Sequence, residues 1–367
     1  MTTQDHPGLK SLHAPRAAPV AVIGAGAAGL ALAATLAEQG LEVRLGNRSG
    51  WRLKALKPDG TIDVHREHGP RTRIKIDVTS ANIPAVVAGS GTVILAVSGG
   101  VEENILLGLL ASLSDTTMIV LVSGRAGAAF ACGHLLDECD LERTPVLVEF
   151  GLPFIAISEG PGSVRILGEK AWLPVATVPP SSADRAIGAL QLIFPPVQEA
   201  VTPLWMTLHS IPGMVFPAVM VCNAGQIARG EDFAFYTDGV FPGIDGLLNA
   251  MDHERIAVAE ALGLRPITAV EWFRRAYDVE GASLVDVLSR SGAYAARRAP
   301  SSLEHRFLVD NVALCVVPVV MFARRLGVAT PTLDSVIELA SALAGTDLRT
   351  AGEERATWIR QMFYGEA

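Results

Sequence analysis

A glycine-rich segment near the start of the chain constrains its fold more than any other feature. The segment GAGAAG runs from Gly24 to Gly29, follows the apolar run Pro19–Ile23 and opens the Ala/Leu-rich stretch Ala27–Gln39. Glycines at this spacing between a strand and a helix allow a tight turn, a close approach of a pyrophosphate and close helix–strand packing. The first helical amides and the helix dipole favour the phosphates. The segment therefore predicts a dinucleotide site that contains Gly24, Gly26, Ala27 and Gly29.

Further apolar strands alternate with helical stretches in the first half of the chain. The strands are predicted at Leu41–Leu45, Thr92–Val97, Thr117–Val122 and Pro145–Phe150, and one intervening helix at Ile105–Leu113. Continuous apolar strands that alternate with helices are typical of a parallel sheet covered on both faces. We therefore expect an α/β fold, a Rossmann-type doubly wound parallel sheet, over residues 18–195. Residues 1–17 are expected to be a disordered tail.

The pattern changes near Pro195–Pro196, beyond which helical signals dominate. Leu247–Leu262 has helical periodicity, and Val312–Leu326 is apolar nearly all round, which predicts a buried helix kinked at Pro318. Thr330 followed by Pro331 is typical of an N-cap and the first residue of a further helix. We therefore expect an all-α domain over residues 196–367 that binds substrate and forms a homodimer.

Composition excludes several classes of partner. Half of the 367 residues are apolar, and the formal net charge is −8 without a long basic run, so nothing favours nucleic acid. The four cysteines show no metal-ligand spacing, so no metal site is expected. The uncharged stretch Ala17–Ala37 is interrupted by glycines, which disfavours a membrane span. The first 16 residues lack the apolar run of a secretory signal, so a cytoplasmic protein is expected.

The end of the second predicted strand indicates which nicotinamide cofactor binds. It reads Gly46-Asn47-Arg48-Ser49, without the acid that usually binds the ribose hydroxyls of NAD. Arginine can pair with a 2′-phosphate, and Asn47 and Ser49 can add donors, so NADP(H) is preferred while NAD(H) stays possible. Arg48 could instead be an ordinary solvated residue. Ser98 and Gly99 are expected to form another wall of this cleft, although a plain turn also explains the glycine.

Four segments of the second half carry a family resemblance. They are Phe216–Gly225, Phe235–Gly239, Asp252–Gly263 and the stretch from His305 to Thr332. With the dinucleotide-binding half, they resemble the octopine/nopaline (opine) dehydrogenase family over about residues 18–350. The resemblance implies that an amino group is condensed with a 2-oxo acid. It also implies that NAD(P)H reduces the resulting imine to a secondary amine dicarboxylate.

Two positions depart from the family pattern together. The family typically has His-Pro before an Asn-Ala-Gly segment, and this chain has Phe216-Pro217 before Asn223. After the His-Arg pair the family typically has Glu-Asp, where this chain has Asp310-Asn311. The resemblance thus implies that Phe216 and Asn311 stand where the catalytic His/Asp dyad would be. Both residues and Asn223 are expected to contact the substrate.

Of the other candidate site residues, Arg306 and Glu149 are assigned by the same resemblance, and His209 and Asp310 by the chemistry of their side chains. Arg306 matches the arginine that binds a substrate carboxylate, and its alternative is an i,i+4 ion pair with Asp310 on one helix face. Glu149 matches a glutamate at the domain junction and is a candidate to bind the substrate amine. His209 could protonate the imine nitrogen in place of the missing histidine, or it could be a hydrogen-bonded structural residue. Asp310 and Tyr236 are weaker candidates for the same catalytic role.

Two alternative functions compete with imine reduction. One is a catalytically silent relative that binds NADP(H) as a sensor or partner subunit, which the altered dyad would explain. The other is a carbonyl reductase like ketopantoate reductase, which shares the two-domain plan and needs a lysine near the cleft. The last lysine of this chain is Lys170, so the predicted helical domain has none. On that ground the second alternative is disfavoured.

Overall fold

The computed structural model describes residues 18–364 apart from 55, 57, 58, 68, 115, 123, 124, 140, 142, 143 and 296. The tail expected at residues 1–17 lies outside the described residues. The strands are β1 Val20–Ile23, β2 Val43–Gly46, β3 Thr61–Arg66, β4 Arg71–Lys75, β5 Val78–Ser80, β6 Thr92–Leu95, β7 Met118–Leu121, β8 Val146–Phe150, β9 Phe154–Gly160, β10 Ser163–Glu169, β11 Leu173–Val178 and β12 Val197–Val201.

The helices alternate with these strands and then form the C-terminal half. They are α1 Ala27–Glu38, α2 Gly50–Lys54, α3 Ile83–Val87, α4 Glu102–Leu109, α5 Ala128–Glu138, α6 Ala183–Gln191, α7 Pro203–Leu208, α8 Ile211–Cys222, α9 Ala224–Ala228, α10 Asp245–Ala261, α11 Ala269–Tyr277, α12 Leu284–Arg290, α13 Gly292–Ala295, α14 Val309–Asn311, α15 Val317–Leu326, α16 Pro331–Ala344, α17 Leu348–Arg355 and α18 Thr357–Tyr364.

The main sheet confirms the predicted α/β class. Its strand order is β12-β11-β8-β7-β6-β1-β2-β5, and the strands from β8 to β5 are parallel. Strand β11 runs antiparallel to β8. All five strands predicted from apolar runs lie in this sheet, because each run is buried on both faces. The turns after β1, β2, β6 and β8 therefore meet at one edge of the sheet.

Two features of the sheet domain differ from the expectation. Strand β12 pairs with β11 and ends at Val201, so the sheet continues past residue 195. We propose that the domain boundary follows Val201. A second sheet, of order β4-β3-β10-β9, is also present. It buries Ile62 and Val164 in the core that includes α1, while its outer strand β4 is largely exposed.

The helical domain is organised by a buried ion pair in α10. The guanidinium of Arg255 is fully buried, and its Nε and Nη2 atoms donate to Asp252 at 2.9 and 2.6 Å. Arg255 also donates to the carbonyls of Leu208 and Ile267 at 3.2 and 2.6 Å. Paired and fully hydrogen-bonded charges can be buried at a tolerable energetic cost. This network fixes α10 against the end of α7 and the start of α11.

Two details of the predicted helices are corrected. The long apolar stretch is irregular just before Pro318, where Val312–Val316 forms a π-helical turn, and the proline lies in the first turn of α15. Thr330 does not cap α16 through its side chain. The carboxylate of Glu254 accepts from the amides of Thr332 and Leu333 at 2.8 and 2.9 Å instead. A carboxylate from another helix thus satisfies the open amides and the positive end of the helix dipole.

One helical stretch in the described part of the chain is long and apolar enough to cross a membrane. It is Pro203–Cys222, which comprises α7 and α8, and 61% of its most apolar window is buried inside the protein. Helices in the core of a globular domain have this composition and this burial. The stretch Ala27–Glu38, within the apolar segment that the sequence presented, is a shorter buried helix of the sheet domain.

Candidate active site

A cleft of about 1250 Å³ lies between the edge of the main sheet and the helical domain. The sheet domain contributes the glycine-rich turn after β1, the residues after β2 and β6, and Glu149 near the end of β8. The helical domain contributes residues from α7, α8, α11, α13 and α14. Ligands of open parallel sheets bind at this edge, outside the carboxyl ends of the strands.

The glycine-rich turn has the shape that a pyrophosphate requires. Gly24 has φ +120°, and a β-carbon there would collide with the carbonyl of Ala96. A β-carbon on Gly29 would collide with the carbonyl of Gly24, so α1 packs directly on the turn. Gly26 faces open space, with nothing within 4 Å of its β-carbon position. Gly24, Gly26 and Ala27 line the cleft, and the turn fits a dinucleotide whose phosphates lie over Gly26 and the first amides of α1.

Among the residues after β2, Asn47 makes structural hydrogen bonds, whereas two arginines further on are exposed. The side chain of Asn47 accepts from the amide of Ala25 at 3.0 Å and donates to the carbonyl of Ser49 at 3.0 Å. Arg48 is exposed and lines the cleft. Arg52 in α2 is also exposed and lines the cleft, and the sequence did not indicate it. No hydrogen bond or ion pair is described for either guanidinium. Among the described residues, the acids that line the cleft are Glu149 in β8 and Asp310 in α14, and neither follows β2.

Gly99 has a packing role that joins the two domains. A β-carbon on Gly99 would lie 2.9 Å from Leu314 and 3.2 Å from Arg125, so only glycine fits without a shift. Ser98 beside it is exposed and lines the cleft. Arg125, which the sequence did not indicate, is buried in the same wall and pairs with Glu102 and Glu103 at 3.3 and 2.9 Å. The turn after β6 is thus held against the helical domain.

Glu149 is buried at the sheet edge. Its Oε2 atom accepts from the amide of Ala129 at 2.9 Å, at the start of α5. Burial raises the pKa of this carboxyl to about 7, although the Ala129 amide opposes the shift. The group can therefore exchange a proton near neutral pH.

Two guanidinium groups lie in the opposite wall. Arg306 and Arg297 both line the cleft, and the described structure gives neither an ion pair nor a side-chain hydrogen bond. The proposed i,i+4 pair between Arg306 and Asp310 is not formed within 4.0 Å. Burial, together with the nearby Arg306 cation, lowers the pKa of Arg297, whose guanidinium lies 4.9 Å from the centre of the Phe307 ring. Burial raises the pKa of Asp310, which is half-buried. Two neighbouring cations that form no ion pair within the described part of the chain have the chemistry to bind an anion.

Aromatic rings cover the floor between these arginines and the sheet. Phe216 stacks on Phe307 with ring centres 4.4 Å apart, and it lies 6.0 Å from Tyr236. Tyr294 contacts Tyr236 and donates to the hydroxyl of Tyr277 at 2.9 Å. The rings of Phe216, Phe307 and the three tyrosines all line the cleft. This wall offers apolar surface with a few hydroxyl groups.

The two other predicted substrate residues differ in position. Asn311 lines the cleft, and its amide donates to the carbonyls of Arg306 and Phe307 at 3.3 Å each. Asn223 does not line the cleft. It is buried and donates to the carbonyls of Val219 and Gly239 at 2.8 and 2.9 Å, so it joins the end of α8 to the following segment. The prediction that Asn223 contacts substrate is corrected to this structural role.

His209 borders the cleft but has no nitrogen free for catalysis. Its Nδ1 atom lies 2.7 Å from the carbonyl of Trp205, and its Nε2 atom accepts from the amide of Ile267 at 3.1 Å. The imidazole also stacks on Trp205, with ring centres 3.5 Å apart. Burial, and then the cation of Arg255, lower the pKa of His209 to about 3. The ring is therefore neutral and fully hydrogen-bonded, which contradicts the expected role as a proton donor.

Lys170 is the residue of this cleft that the sequence argument misjudged. It follows β10, is 9% exposed, and lines the cleft beside Gly151 and Trp272. The helical domain has no lysine, and the sequence therefore predicted a cleft without one. That prediction is wrong, because the sheet domain supplies Lys170. Periodicity did not reveal this residue, since it lies in a turn between two strands that the sequence did not predict. Among the described residues, no group of three or more His, Cys, Asp or Glu could hold a metal ion.

Comparison with known families matches each half of the chain. Residues 200–344 match the family described as NAD/NADP octopine/nopaline dehydrogenase, alpha-helical domain. Residues 20–129 match the family described as ketopantoate reductase PanE/ApbA. Among curated proteins, an opine dehydrogenase from Arthrobacter sp. (strain 1C) is 26% identical over 332 residues. That alignment covers 90% of this chain and 92% of the Arthrobacter protein.

Solved structures share the two-domain fold. Octopine dehydrogenase in complex with NADH and agmatine superposes with a TM-score of 0.75 and 21% identity, covering 95% of this chain and 98% of the other. Yersinopine dehydrogenase with NADP⁺ bound superposes with a TM-score of 0.69 and 13% identity, covering 94% and 99%. The order of a parallel sheet followed by a helical domain is therefore the same in all three.

Proposed function

Because this chain belongs to the octopine/nopaline (opine) dehydrogenase family, we propose that it catalyses an NAD(P)H-dependent reductive condensation of an amine with a 2-oxo acid. The bond reduced is the C=N bond of the imine, and the product is a secondary amine that bears carboxylates. The observation that carries this proposal is a pair of guanidiniums, Arg297 and Arg306, which form no ion pair with any described residue and lie in the cleft that also contains the glycine-rich turn.

The two arginines fit a substrate with two carboxylates. Each guanidinium can bind one carboxylate through two parallel hydrogen bonds. Neither forms an ion pair within 4.0 Å among the described residues, although the carboxylate of Asp310 lies near enough to Arg306 for an electrostatic interaction. An imine made from an amino acid and a 2-oxo acid carries two carboxylates. We therefore assign Arg306 to one of them and Arg297 to the other. Such anchoring holds the C=N bond in a fixed orientation toward the sheet edge.

The cofactor fits the sheet domain, and NADP(H) is the form we propose. When bound, the dihydronicotinamide supplies a hydride. Gly24, Gly26 and the start of α1 would hold the pyrophosphate, while the exposed Arg48 and Arg52 would hold a 2′-phosphate. Ser49 would add a donor. NAD(H) is the alternative cofactor, and the absence of an acid after β2 among the lining residues disfavours it.

The amine substrate is proposed to carry an apolar side chain. The aromatic wall of Phe216, Tyr236 and Phe307 offers apolar contact. The cations that line the cleft would repel a basic side chain, and burial raises the pKa of both lining acids, Glu149 and Asp310. Glu149 is assigned to the substrate amine, from which it would remove a proton before condensation. Phe216 and Asn311 are proposed to stand in place of the family's His/Asp dyad.

The experiment is to supply the purified protein with NADPH, a 2-oxo acid and a series of amino acids, and to follow NADPH absorbance. We expect oxidation that requires both substrates, a product whose mass equals that of the secondary amine, and a higher kcat/KM for apolar amino acids than for arginine or lysine. Binding of NADPH without turnover of any substrate pair would support the silent relative instead. That alternative is not favoured, because the cleft retains both the cofactor-binding turn and the carboxylate-binding cations.

The oligomeric state and the cellular location of the protein are also part of this proposal. We propose a soluble cytoplasmic homodimer that associates through the helical domain, since this domain is rich in apolar residues. Nucleic acid and membrane are not expected as partners. Light scattering at micromolar concentration tests the dimer, and a monomer mass would contradict it.

A further inference from the structure

Lys170 holds an unusual position in the cleft. Its backbone amide donates to the carbonyl of Pro153 at 2.8 Å, which fixes the turn between β10 and β11 against β9. Its Nζ atom lies 5.2 Å from the centre of the Trp272 ring, and a β-carbon placed on Gly151 would lie 3.0 Å from it. The described residues provide no carboxylate and no hydrogen-bond acceptor for this buried ammonium. A buried charged group is normally paired, so an unpaired one that borders a cleft indicates a functional group.

The position of Lys170 along the main sheet indicates which part of a bound dinucleotide would lie near it. The pyrophosphate-binding turn follows β1, and the exposed arginines follow β2 on one side of it. The strands β6, β7 and β8 lie on the other side, where the nicotinamide half of a dinucleotide is placed. Gly151, whose β-carbon position lies beside the Nζ atom of Lys170, comes directly after β8. Lys170 therefore lies at the end of the cleft where the reduction would take place.

Among the described residues, the elements around Lys170 bring few other titratable groups to the cleft. Strand β8 presents Glu149, and α11 presents Tyr277. The remaining charged residues of α11 are only partly buried and pair with acids: Arg275 with Glu271 at 2.7 Å, and Arg274 with Glu280 at 2.6 Å. Burial raises the pKa of Tyr277, so its phenol stays neutral. Burial lowers the pKa of Lys170 to about 8, which makes its ammonium a better acid near neutral pH.

We propose that Lys170 is the proton donor of the reaction. This inference rests on the proposed imine reduction. As the imine carbon gains a hydride, the electron pair of the C=N bond moves to nitrogen and takes a proton from the Lys170 ammonium. The imine is reduced to the secondary amine, bound NAD(P)H would supply the hydride and be oxidised to NAD(P)⁺, and the neutral lysine regains its proton from water. His209 is excluded from this role because both of its nitrogens are occupied.

The first test compares variants of Lys170 with a matched lysine far from the cleft. Lys170→Met should lower kcat by about 10²–10⁴-fold while changing the KM of the 2-oxo acid little. Lys170→Arg keeps the positive charge but does not release a proton near neutral pH, so it should be as inactive as Lys170→Met. That result would show that a positive charge alone is not enough for catalysis. Lys75→Met, on the exposed strand β4, should leave activity unchanged.

A second test does not depend on turnover. Reductive methylation of the cofactor-free protein with ¹³C-formaldehyde labels its lysines for NMR. One signal, absent from Lys170→Met, should titrate near pH 8, well below the others. The wild-type kcat should fall above the same pH. Alkylation of Lys170→Cys with bromoethylamine should restore activity, with wild type treated in parallel because four natural cysteines are present.

Each contrary result has a distinct meaning. If Lys170→Met raises the KM of the 2-oxo acid and leaves kcat and its pH dependence intact, Lys170 binds a carboxylate and the proposal is wrong. If Glu149→Gln rather than Lys170→Met removes the pH dependence, the proton comes from Glu149. If wild type itself turns over no substrate pair, the proposed function fails, whereas an active wild type with an equally active Lys170→Met rejects only the proton donor.

Discussion

The side-chain oxygen of Asn47 accepts a hydrogen bond from the backbone amide of Ala25 at 3.0 Å. The end of β2 is thereby fastened to the glycine-rich turn. The nitrogen of the same carboxamide donates to the carbonyl of Ser49 at 3.0 Å, so this position needs both an acceptor and a donor. An aspartate would satisfy Ala25 but would set a carboxylate oxygen against the Ser49 carbonyl. The residue after β2 thus supports the turn without adding a negative charge near Arg48.

Substitutions at Asn47 should separate support of the turn from recognition of the phosphate. Asn47→Ala removes both hydrogen bonds, so we expect NADPH and NADH to weaken by a similar factor of about ten. Asn47→Asp places a negative charge where a 2′-phosphate would lie, so NADPH should weaken much more than NADH. Fluorescence titration of both cofactors measures this. A loss confined to NADPH in Asn47→Ala would mean instead that the carboxamide binds the phosphate directly.

Removal of the exposed arginines should test the cofactor preference. Arg48→Ala and Arg52→Ala should each weaken NADPH by about 1–3 kcal/mol, which is roughly ten- to hundred-fold, and change NADH little. Arg71→Ala is the control, because Arg71 is an equally exposed arginine on β4. Wild-type protein that binds NADH as tightly as NADPH, with no effect of Arg48→Ala, would contradict the preference for NADP(H).

Apolar runs predicted the main sheet well because its strands are buried on both faces. The same criterion missed the second sheet. Strand β4, for example, alternates Arg71, Arg73 and Lys75 outward with Thr72 and Ile74, so no apolar run marks it. The sequence also did not show how a helix begins when a residue from a distant element caps its first turn. Glu254 caps α16 from α10, and no local pattern around Thr330 contains that information.

Residue type alone could not decide which candidates reach the substrate. His209 and Lys170 show this most clearly. From residue type alone, a histidine is expected to exchange a proton near neutral pH and a lysine is not. The fold reverses these expectations, since a carbonyl and an amide occupy both nitrogens of His209, whereas the β10–β11 turn brings an unpaired Lys170 into the cleft. The glycine motif, by contrast, was predictable because its constraints are local.

Loss of either cleft arginine should weaken substrate binding without affecting the cofactor. Arg306→Ala and Arg297→Ala should each raise the KM of a carboxylate substrate. The expected loss is about 1.5–3 kcal/mol, because Arg306 is exposed, Arg297 is only partly buried, and each change removes hydrogen bonds to a charged group. NADPH affinity should stay nearly unchanged. Arg298→Ala is the neighbouring control, because that exposed guanidinium pairs with Asp232 at 2.6 Å. An unchanged KM in Arg306→Ala would remove this residue from the site.

The buried, neutral imidazole of His209 should make stability depend on pH. Its folded-state pKa is about 3, against an ordinary value of 6.5. Above pH 6.5 neither the folded nor the unfolded chain protonates this ring, so its hydrogen bonds contribute fully. Below pH 6.5 the unfolded chain takes up a proton that the folded ring refuses. The free energy of unfolding should then fall by up to about 1.4 kcal/mol per pH unit until the folded ring protonates.

His209→Gln removes this titration and so provides the comparison. At pH 7 the variant should be less stable than wild type by about 1–3 kcal/mol, because a partner of the Ile267 amide or of the Trp205 carbonyl is lost. The difference should narrow as the pH falls from 7 to 5, since only wild type carries this linkage. Burial lowers the pKa of His305 to about 4 in both proteins, so its contribution cancels. Urea unfolding at each pH measures the difference. A constant difference, or a lost near-neutral limb in the activity profile of His209→Gln, would show that this ring does exchange a proton.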